Sequence, residues 1–487
     1  MNASPEFLES GEVARLIPVI ADSRREQRVA SVFLATLAAV PDLAQQLLST
    51  AGIRLGKRSV IDTYTEVVLK EHSEAKDRPD GLIVITAGKN SWKALLEAKI
   101  GSSMLEEDQV HRYLQLARQC EIDAVITLSN QFVARPTHSP IRVPKTLTRR
   151  VDLFHWSWKT VATEAVLLQA RDAVKDPDQA FILREFVRFI SHDSVGITGF
   201  DRMPSQWRDA VTLVKSGGFI GKTTPEAEAL VSAWHQETRD LALRMSQHLA
   251  TEVVVRLPRA HASDADQRFR DDCAKLSSHN KLEVEYEIPN AASPLTVTAD
   301  LVSQTIRVAM EAGAPLDKQR GTARVNWLLR QLKATSDEQL FVRISWPSRA
   351  QDTVCRLSDI REDPKAIVGG APLPPKSFEV FQLCDDARRF TGRKTFIEEI
   401  ERVVPQFYDN VGQRLERWVP KPPKPVKNEM AVSDVEPQPQ VREKRSEPPV
   451  QTERPGLASG NQHSTLIEMP AFLRRSILGR RVELDDR

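Results

Sequence analysis

Two short aliphatic runs on either side of a polar break constrain this chain more than any other feature. Arg78-Pro79-Asp80-Gly81 leads into Leu82-Ile83-Val84-Ile85. Gly88-Lys89-Asn90 interrupts, and Trp92-Lys93-Ala94-Leu95-Leu96-Glu97-Ala98-Lys99 follows. Runs of this length, rich in aliphatic residues and bounded by Pro and by Gly-Lys-Asn, predict two strands joined by a short turn. Side chains two positions apart leave the same face of a strand, so Glu97 and Lys99 share a face. Asp80 stands where the first strand opens. The hairpin therefore brings two carboxylates and one ammonium toward a single point.

Two carboxylates held together repel unless a cation lies between them. Oxygen ligands suit a hard ion such as Mg2+, which keeps several of its waters. A lysine beside those waters orients one of them or stabilises developing negative charge. The matching reaction is metal-assisted attack of water on a phosphodiester. The same residues admit a plainer reading. Asp80 is also a turn residue after Pro79, Glu97 and Lys99 a solvent-facing pair on a half-buried strand, and Tyr113 core filling under a helix.

Pro79-Asp80 followed after a hairpin by Glu97-Ala98-Lys99 resembles the PD-(D/E)XK nuclease superfamily. Gln109-Val110-His111-Arg112-Tyr113 is similar to the Q-x-x-x-Y helix of its RecB-like branch. On a helix Gln109 and Tyr113 share one face, four residues apart. The resemblance covers roughly residues 20–190. It implies a restriction-endonuclease-like mixed sheet flanked by helices, within an α/β chain. It implies Mg2+ held by Asp80, Glu97 and the Ala98 carbonyl, Lys99 positioning or activating the attacking water, and Gln109 and Tyr113 supporting that shell or touching the substrate strand. It implies a DNA or RNA substrate, in defence, restriction or DNA processing. Members often carry a further acid on the helix before the sheet. Glu26 is that candidate here, although Ser23-Arg24-Arg25-Glu26 also reads as a capping box in which Glu26 reaches back to the Ser23 amide. Glu66, on the run Val60–Lys70, competes with it.

The chain has 487 residues and a net charge of +2, so it has material for two or three domains and no global basic footprint. Its four cysteines, Cys120, Cys273, Cys355 and Cys384, show no C-x-x-C spacing. That argues against a disulfide framework or zinc site and suits a reducing cytoplasm. The start of the sequence lacks signal-peptide character, and no apolar run reaches transmembrane length, so no membrane insertion is expected.

Residues 22–50 read as helices, with Pro41 opening the second. Val60–Lys70 reads as a strand, Met104–Cys120 as a helix, Ala124–Leu128 as a buried strand and Val151–Thr160 as another strand. Between the last two, Arg135, Arg142, Lys145, Arg149 and Arg150 give a basic, Pro-interrupted connection that either holds phosphates or is simply solvated. Asp176–His192 reads as an amphipathic helix closing a first domain, 1–215. Gly221-Lys222-Thr223 resembles the end of a Walker A loop, but only three residues separate Gly217 from Gly221 and no strand precedes it, so a P-loop is rejected.

Residues 220–418 read as a second α/β domain of unassigned role, with a helix from Pro225 to about Thr251. Its strands are expected at Leu282–Ile288, Leu295–Leu301, Thr305–Met310 and Leu340–Trp346. On a helix from Thr322 to Lys333, the cations Arg320, Arg324, Arg330 and Lys333 flank the apolar face. Residues 419–463 are Pro-rich, and this composition predicts a disordered linker. Apolar character returns at Leu466-Ile467-Glu468-Met469-Pro470-Ala471-Phe472-Leu473-Arg474-Arg475. This peptide resembles the C-terminal tail of the bacterial tubulin-like division protein FtsZ. The resemblance implies a protein partner bound through residues 464–487, with Met469, Pro470, Phe472, Leu473 and Arg474 in contact. A second function class fits this end of the chain: a non-catalytic adaptor on a nuclease-derived scaffold.

Overall fold

The computed structural model describes residues 8–13, 16, 24–56, 58–70, 78–335, 339–348, 350–368 and 373–419. All of them fall within one compact unit, Met1–Pro422. The linker beyond Val419 and the peptide carrying Met469, Pro470, Phe472, Leu473 and Arg474 lie outside the described residues.

The first half contains β1 (Leu8–Val13), α1 (Arg25–Ala39), α2 (Pro41–Thr50), β2 (Val60–Leu69), β3 (Gly81–Ala87), β4 (Asn90–Ala98) and α3 (Glu107–Gln119). It continues with β5 (Ala124–Ser129), β6 (Asp152–Ser157), α4 (Trp158–Ala170) and α5 (Pro177–Ile190). The strands form a mixed sheet in chain order, β1 to β6. The first four pair antiparallel, and β4, β5 and β6 pair parallel. The β3–β4 turn is the two-residue Gly88-Lys89, flanked by the pair Ala87 and Asn90, with Gly88 at φ 65°. Only glycine takes that first turn position without strain.

Strand alternation separates two cores. Ile83, Ile85, Ala94, Leu96, Ile126 and Leu128 point to a core shared with α1, α2, α4 and α5. Leu82, Val84, Leu95 and Val125 point to the other face, covered by α3 and by Ile141, Val143 and Leu147 of the basic connection. Both faces are therefore buried, and β5 reads as a continuous apolar run because of it.

The aromatic stretch expected as one strand, Val151–Thr160, is two elements. The strand stops at Ser157, whose hydroxyl accepts from the Thr160 amide at 3.0 Å and starts α4. A serine N-cap ends the strand because its side chain satisfies a helical amide that a continuing strand would not present.

The second half contains α6 (Trp207–Lys215), α7 (Pro225–Leu249), β7 (Val254–Val255), α8 (Arg259–Ser263), α9 (Ala265–His279), β8 (Lys281–Glu287), β9 (Leu295–Asp300) and β10 (Thr305–Gly313). After these come α10 (Gly321–Gln331), β11 (Leu340–Ser345), β12 (Thr353–Arg356), α11 (Leu357–Glu362), α12 (Pro364–Val368), β13 (Ser377–Cys384), α13 (Ala387–Thr391) and α14 (Arg393–Asn410). The sheet is antiparallel throughout, in the order β12-β11-β13-β10-β9-β8-β7. Its interior strand β13, between β11 and β10, is absent from the sequence reading. Its core draws on residues from Met203 onward, inside the 1–215 segment assigned to the first domain. Arg324, expected on an exposed flank, is buried instead. Its guanidinium donates to the Lys318 and Pro375 carbonyls at 2.7 and 2.6 Å, which removes it from any surface role.

The two halves pack through α4 and α7, with Gln247 donating to Thr163 at 2.8 Å. Among the described residues no single helix is long and apolar enough to cross a membrane.

Candidate active site

The β3–β4 hairpin sets the positions of the acids. Gly81 pairs with Leu96, so Asp80 and Glu97 leave the open end of the hairpin side by side. Asp80 has the parity of Leu82 and Val84, and Glu97 that of Leu95, so both face α3. Asp80 is half-buried, and its Oδ2 accepts from the Ala98 amide at 2.8 Å. Glu97 is 1% exposed. Its Oε1 pairs with Lys99 Nζ at 2.6 Å. Its Oε2 is buried and accepts no hydrogen bond. The Tyr113 hydroxyl donates to the Arg78 carbonyl at 3.0 Å, and it lies close enough to Glu97 to favour the ionised carboxylate.

Gln109 and Tyr113 are neighbours on α3, and the Gln109 amide donates to the Tyr113 oxygen at 3.2 Å. Through Arg78, Tyr113 ties α3 to the residues just before Asp80. The pair therefore holds the Arg78-Pro79-Asp80 entrance, Gln109 through its hydrogen bond to Tyr113. Burial and the charges of Glu97 and Asp80 push the Tyr113 hydroxyl further up from its ordinary value, so it stays a donor.

Glu26 lies in the first turn of α1. Arg24 occupies the N-cap without a side-chain hydrogen bond, and Ser23 lies outside the described residues. Glu26 Oε1 accepts from the Ile100 amide at 3.2 Å, just past the end of β4. The charge of Glu26 is felt at Asp80, Glu97 and Lys99. Glu66 is exposed, with φ 52°. Tyr64 before it and Val67 and Leu69 after it face the same core. Glu66 is thus the extra residue of a bulge, and Glu26 is the acid that the fold brings to the hairpin.

The electrostatics follow from this crowding. Burial first, then the charge of Glu97, pushes the Asp80 carboxyl up to about 8. Burial likewise raises Glu97, with Lys99 opposing it. For Lys99 burial pulls down, but Glu97 and Asp80 together outweigh it, so its ammonium is held more firmly than usual.

Sequence reading missed three contributors. Glu97 lies in register with Thr127, and Thr127 with His155, giving a polar row across β4, β5 and β6. Burial lowers His155 to about 4, so the ring is neutral. Its Nε2 donates to the Gln131 carbonyl and its Nδ1 meets the Thr127 hydroxyl, each at 2.9 Å. Trp158 is fully buried, and its indole N–H donates to the Lys99 carbonyl at 2.8 Å. The one sequence signal for Trp158 was Ser157 with Thr160, a helix start that places the indole at the first turn.

The donor set suits a hard divalent cation. A buried carboxylate oxygen without a hydrogen-bond partner and two acids beside one ammonium favour a proton or a cation at this point. Among the described residues no group of three or more His, Cys, Asp or Glu side chains is placed to hold an ion. Asp80 and Glu97 would supply the kind of sparse oxygen shell that Mg2+ completes with water. Comparison of the chain with protein-family models, with curated proteins and with solved structures finds no match.

Proposed function

We propose that this chain is a Mg2+-dependent nuclease of the PD-(D/E)XK type that hydrolyses phosphodiester bonds of nucleic acid, with DNA as the first substrate to test. The observation that carries this reading is the convergence of Asp80, Glu97 and Lys99 on one sheet face, with Glu97 Oε2 buried and unpartnered. Asp80, Glu97 and the Ala98 carbonyl would hold the ion. When bound, the ion supplies Lewis-acid stabilisation of a phosphoryl oxygen. Lys99 is charged, so it works as a donor to the attacking water or the scissile phosphate, and not as a proton acceptor. Tyr113 and Gln109 hold the Asp80 entrance in place.

The four free cysteines suit action in the cytoplasm. In this reading Leu466–Arg475 supplies the contact with a protein partner, anchored by Phe472 and Leu473.

The deciding experiment incubates the purified full chain with linear and circular DNA and with RNA, in Mg2+ and in EDTA. Cleavage that needs the metal supports the reading. Absence of cleavage on every substrate, or cleavage indifferent to EDTA, overturns it.

A further inference from the structure

The ladder of the catalytic hairpin ends at Lys99. Its amide donates to the Leu128 carbonyl at 2.7 Å, the last rung that β5 offers. The next peptide plane, whose oxygen belongs to Lys99 and whose nitrogen belongs to Ile100, has left the sheet. Both of its polar atoms are nevertheless held, and by side chains from two different helices. The Trp158 indole N–H on α4 donates to the Lys99 oxygen at 2.8 Å. The Glu26 carboxylate on α1 accepts from the Ile100 nitrogen at 3.2 Å. Phe33, also on α1, packs edge-on against the Trp158 ring at 5.8 Å, so the two helices that grip the plane also grip each other.

This has a geometric consequence for Lys99. The direction in which Cβ leaves Cα is set by the positions of the backbone N and C atoms. The sheet holds N, and only the gripped plane holds C. A peptide that turned freely here would let the lysine side chain swing away from Glu97. Buried peptide groups need partners, and the sheet supplies none at this position.

We propose that Trp158 is a positioning residue for the hydrolytic site. With Glu26, it clamps the Lys99–Ile100 peptide and so aims the Lys99 ammonium at Glu97 and the reacting phosphate. The proposal rests on the reading of Asp80, Glu97 and Lys99 as that site, and it assigns Glu26 to the main chain in place of the metal.

The test uses the full chain with Trp158→Phe, which keeps a ring and removes the N–H, and with Glu26→Ala and Glu26→Gln. Misplacing a reacting group by a fraction of its length costs about 10–10²-fold in rate. Trp158→Phe and Glu26→Ala should each lower kcat by about that factor with KM unchanged. Glu26→Gln keeps an oxygen for the Ile100 amide, so it should lose less than Glu26→Ala. A metal ligand would lose as much from Gln as from Ala.

Residue-resolved amide exchange supplies an arm that needs no activity. In Trp158→Phe, the Ile100 amide should exchange about tenfold faster relative to those of Leu96 and Ile126. A general loosening would speed all three together. Wild-type kcat in Trp158→Phe, equal losses in the two Glu26 variants, or Ile100 exchange moving in step with Leu96 would each overturn the clamp. If the wild-type chain cleaves nothing, the nuclease reading fails, and the exchange arm alone still decides the clamp.

Discussion

Two buried acid clusters among the described residues invite comparison, the one proposed as the hydrolytic site and one between helices of the second half. At the end of the β3–β4 hairpin, Asp80 and Glu97 share Lys99. In the second half, Glu237 and Asp240 of α7 meet Glu401 of α14, with Arg244 between them and Lys159 of α4 in electrostatic reach. Arg244 bonds Asp240 at 3.1 Å and Glu401 at 2.9 Å, and the Phe200 amide donates to Asp240 at 2.9 Å. Each cluster holds one more acid than cations. The second cluster lies between helices, with Glu237 and Asp240 fully buried and Arg244 and Glu401 half-buried. Burial, and then Glu401 and Asp240, push the Glu237 carboxyl well above the usual carboxylate range. The first sits where strands end, beside a half-buried Asp80 whose carboxyl titrates only near 8. Burial favours the neutral form of the surplus acid in the second cluster. A cluster at strand ends can exchange such a proton for a cation.

The largest expected effect separates the clusters by function. Glu97→Ala and Lys99→Ala should each cut metal-dependent cleavage by about 10²–10³-fold, measured as kcat/KM on purified folded protein. Glu237→Gln should cleave as the wild type does. Full activity in Lys99→Ala would place the chemistry elsewhere.

Next in size is the structural cluster. Arg244→Ala leaves Asp240 and Glu401 buried without their guanidinium and should cost about 3–5 kcal/mol in urea unfolding. A loss below about 1 kcal/mol, typical of an exposed pair, would show that solvent reaches the cluster.

The pH response of the metal-free protein sharpens the comparison at the hairpin. The Asp80 carboxyl titrates near 4 when unfolded and about 8 when folded. Between those values the folded chain holds a proton that the unfolded chain has released, so stability falls as pH rises and levels off above 8. The raised Glu97 contributes with the same sign. In EDTA the melting temperature should therefore decline from pH 5 to 8, and Mg2+ should restore it at pH 8. Asp80→Asn, which keeps an oxygen for the Ala98 amide, should melt higher than the wild type at pH 8 in EDTA and gain less from Mg2+. Parallel pH curves for the two proteins would show that Asp80 ionises freely.

The smallest effect belongs to Glu237→Gln. Burial favours the neutral form of Glu237, which has no hydrogen-bond partner, so an amide in its place should move the urea midpoint by less than about 1 kcal/mol equivalent. A destabilisation above about 3 kcal/mol would mean that the folded protein carries Glu237 as a buried anion.

Much of the hairpin was legible before any coordinates. Composition and the Gly88-Lys89 turn predict β3 and β4, and the two-residue strand period puts Glu97 and Lys99 on one face. The four-residue helical period puts Gln109 beside Tyr113. Ser157 was available as a helix start but lay inside an aromatic run with strand-like composition, so the strand was drawn too long. β13 was missed, although its pairing with both β10 and β11 makes it an interior strand of the second sheet.

By itself the sequence determined the local geometry of this protein: which stretches are strands or helices, and which near neighbours share a face. These follow from fixed backbone periods acting over a few residues. Only the tertiary structure decided between Glu26 and Glu66, since one meets a peptide 74 positions away and the other falls on a bulge. It alone brought Trp158 to Lys99 across 59 positions and drew Arg324 inward to Pro375 across 51. Such contacts depend on which elements pack together. That choice is made by the burial of whole apolar faces, and a titratable or hydrogen-bonding residue carries no sign of it in its own neighbourhood.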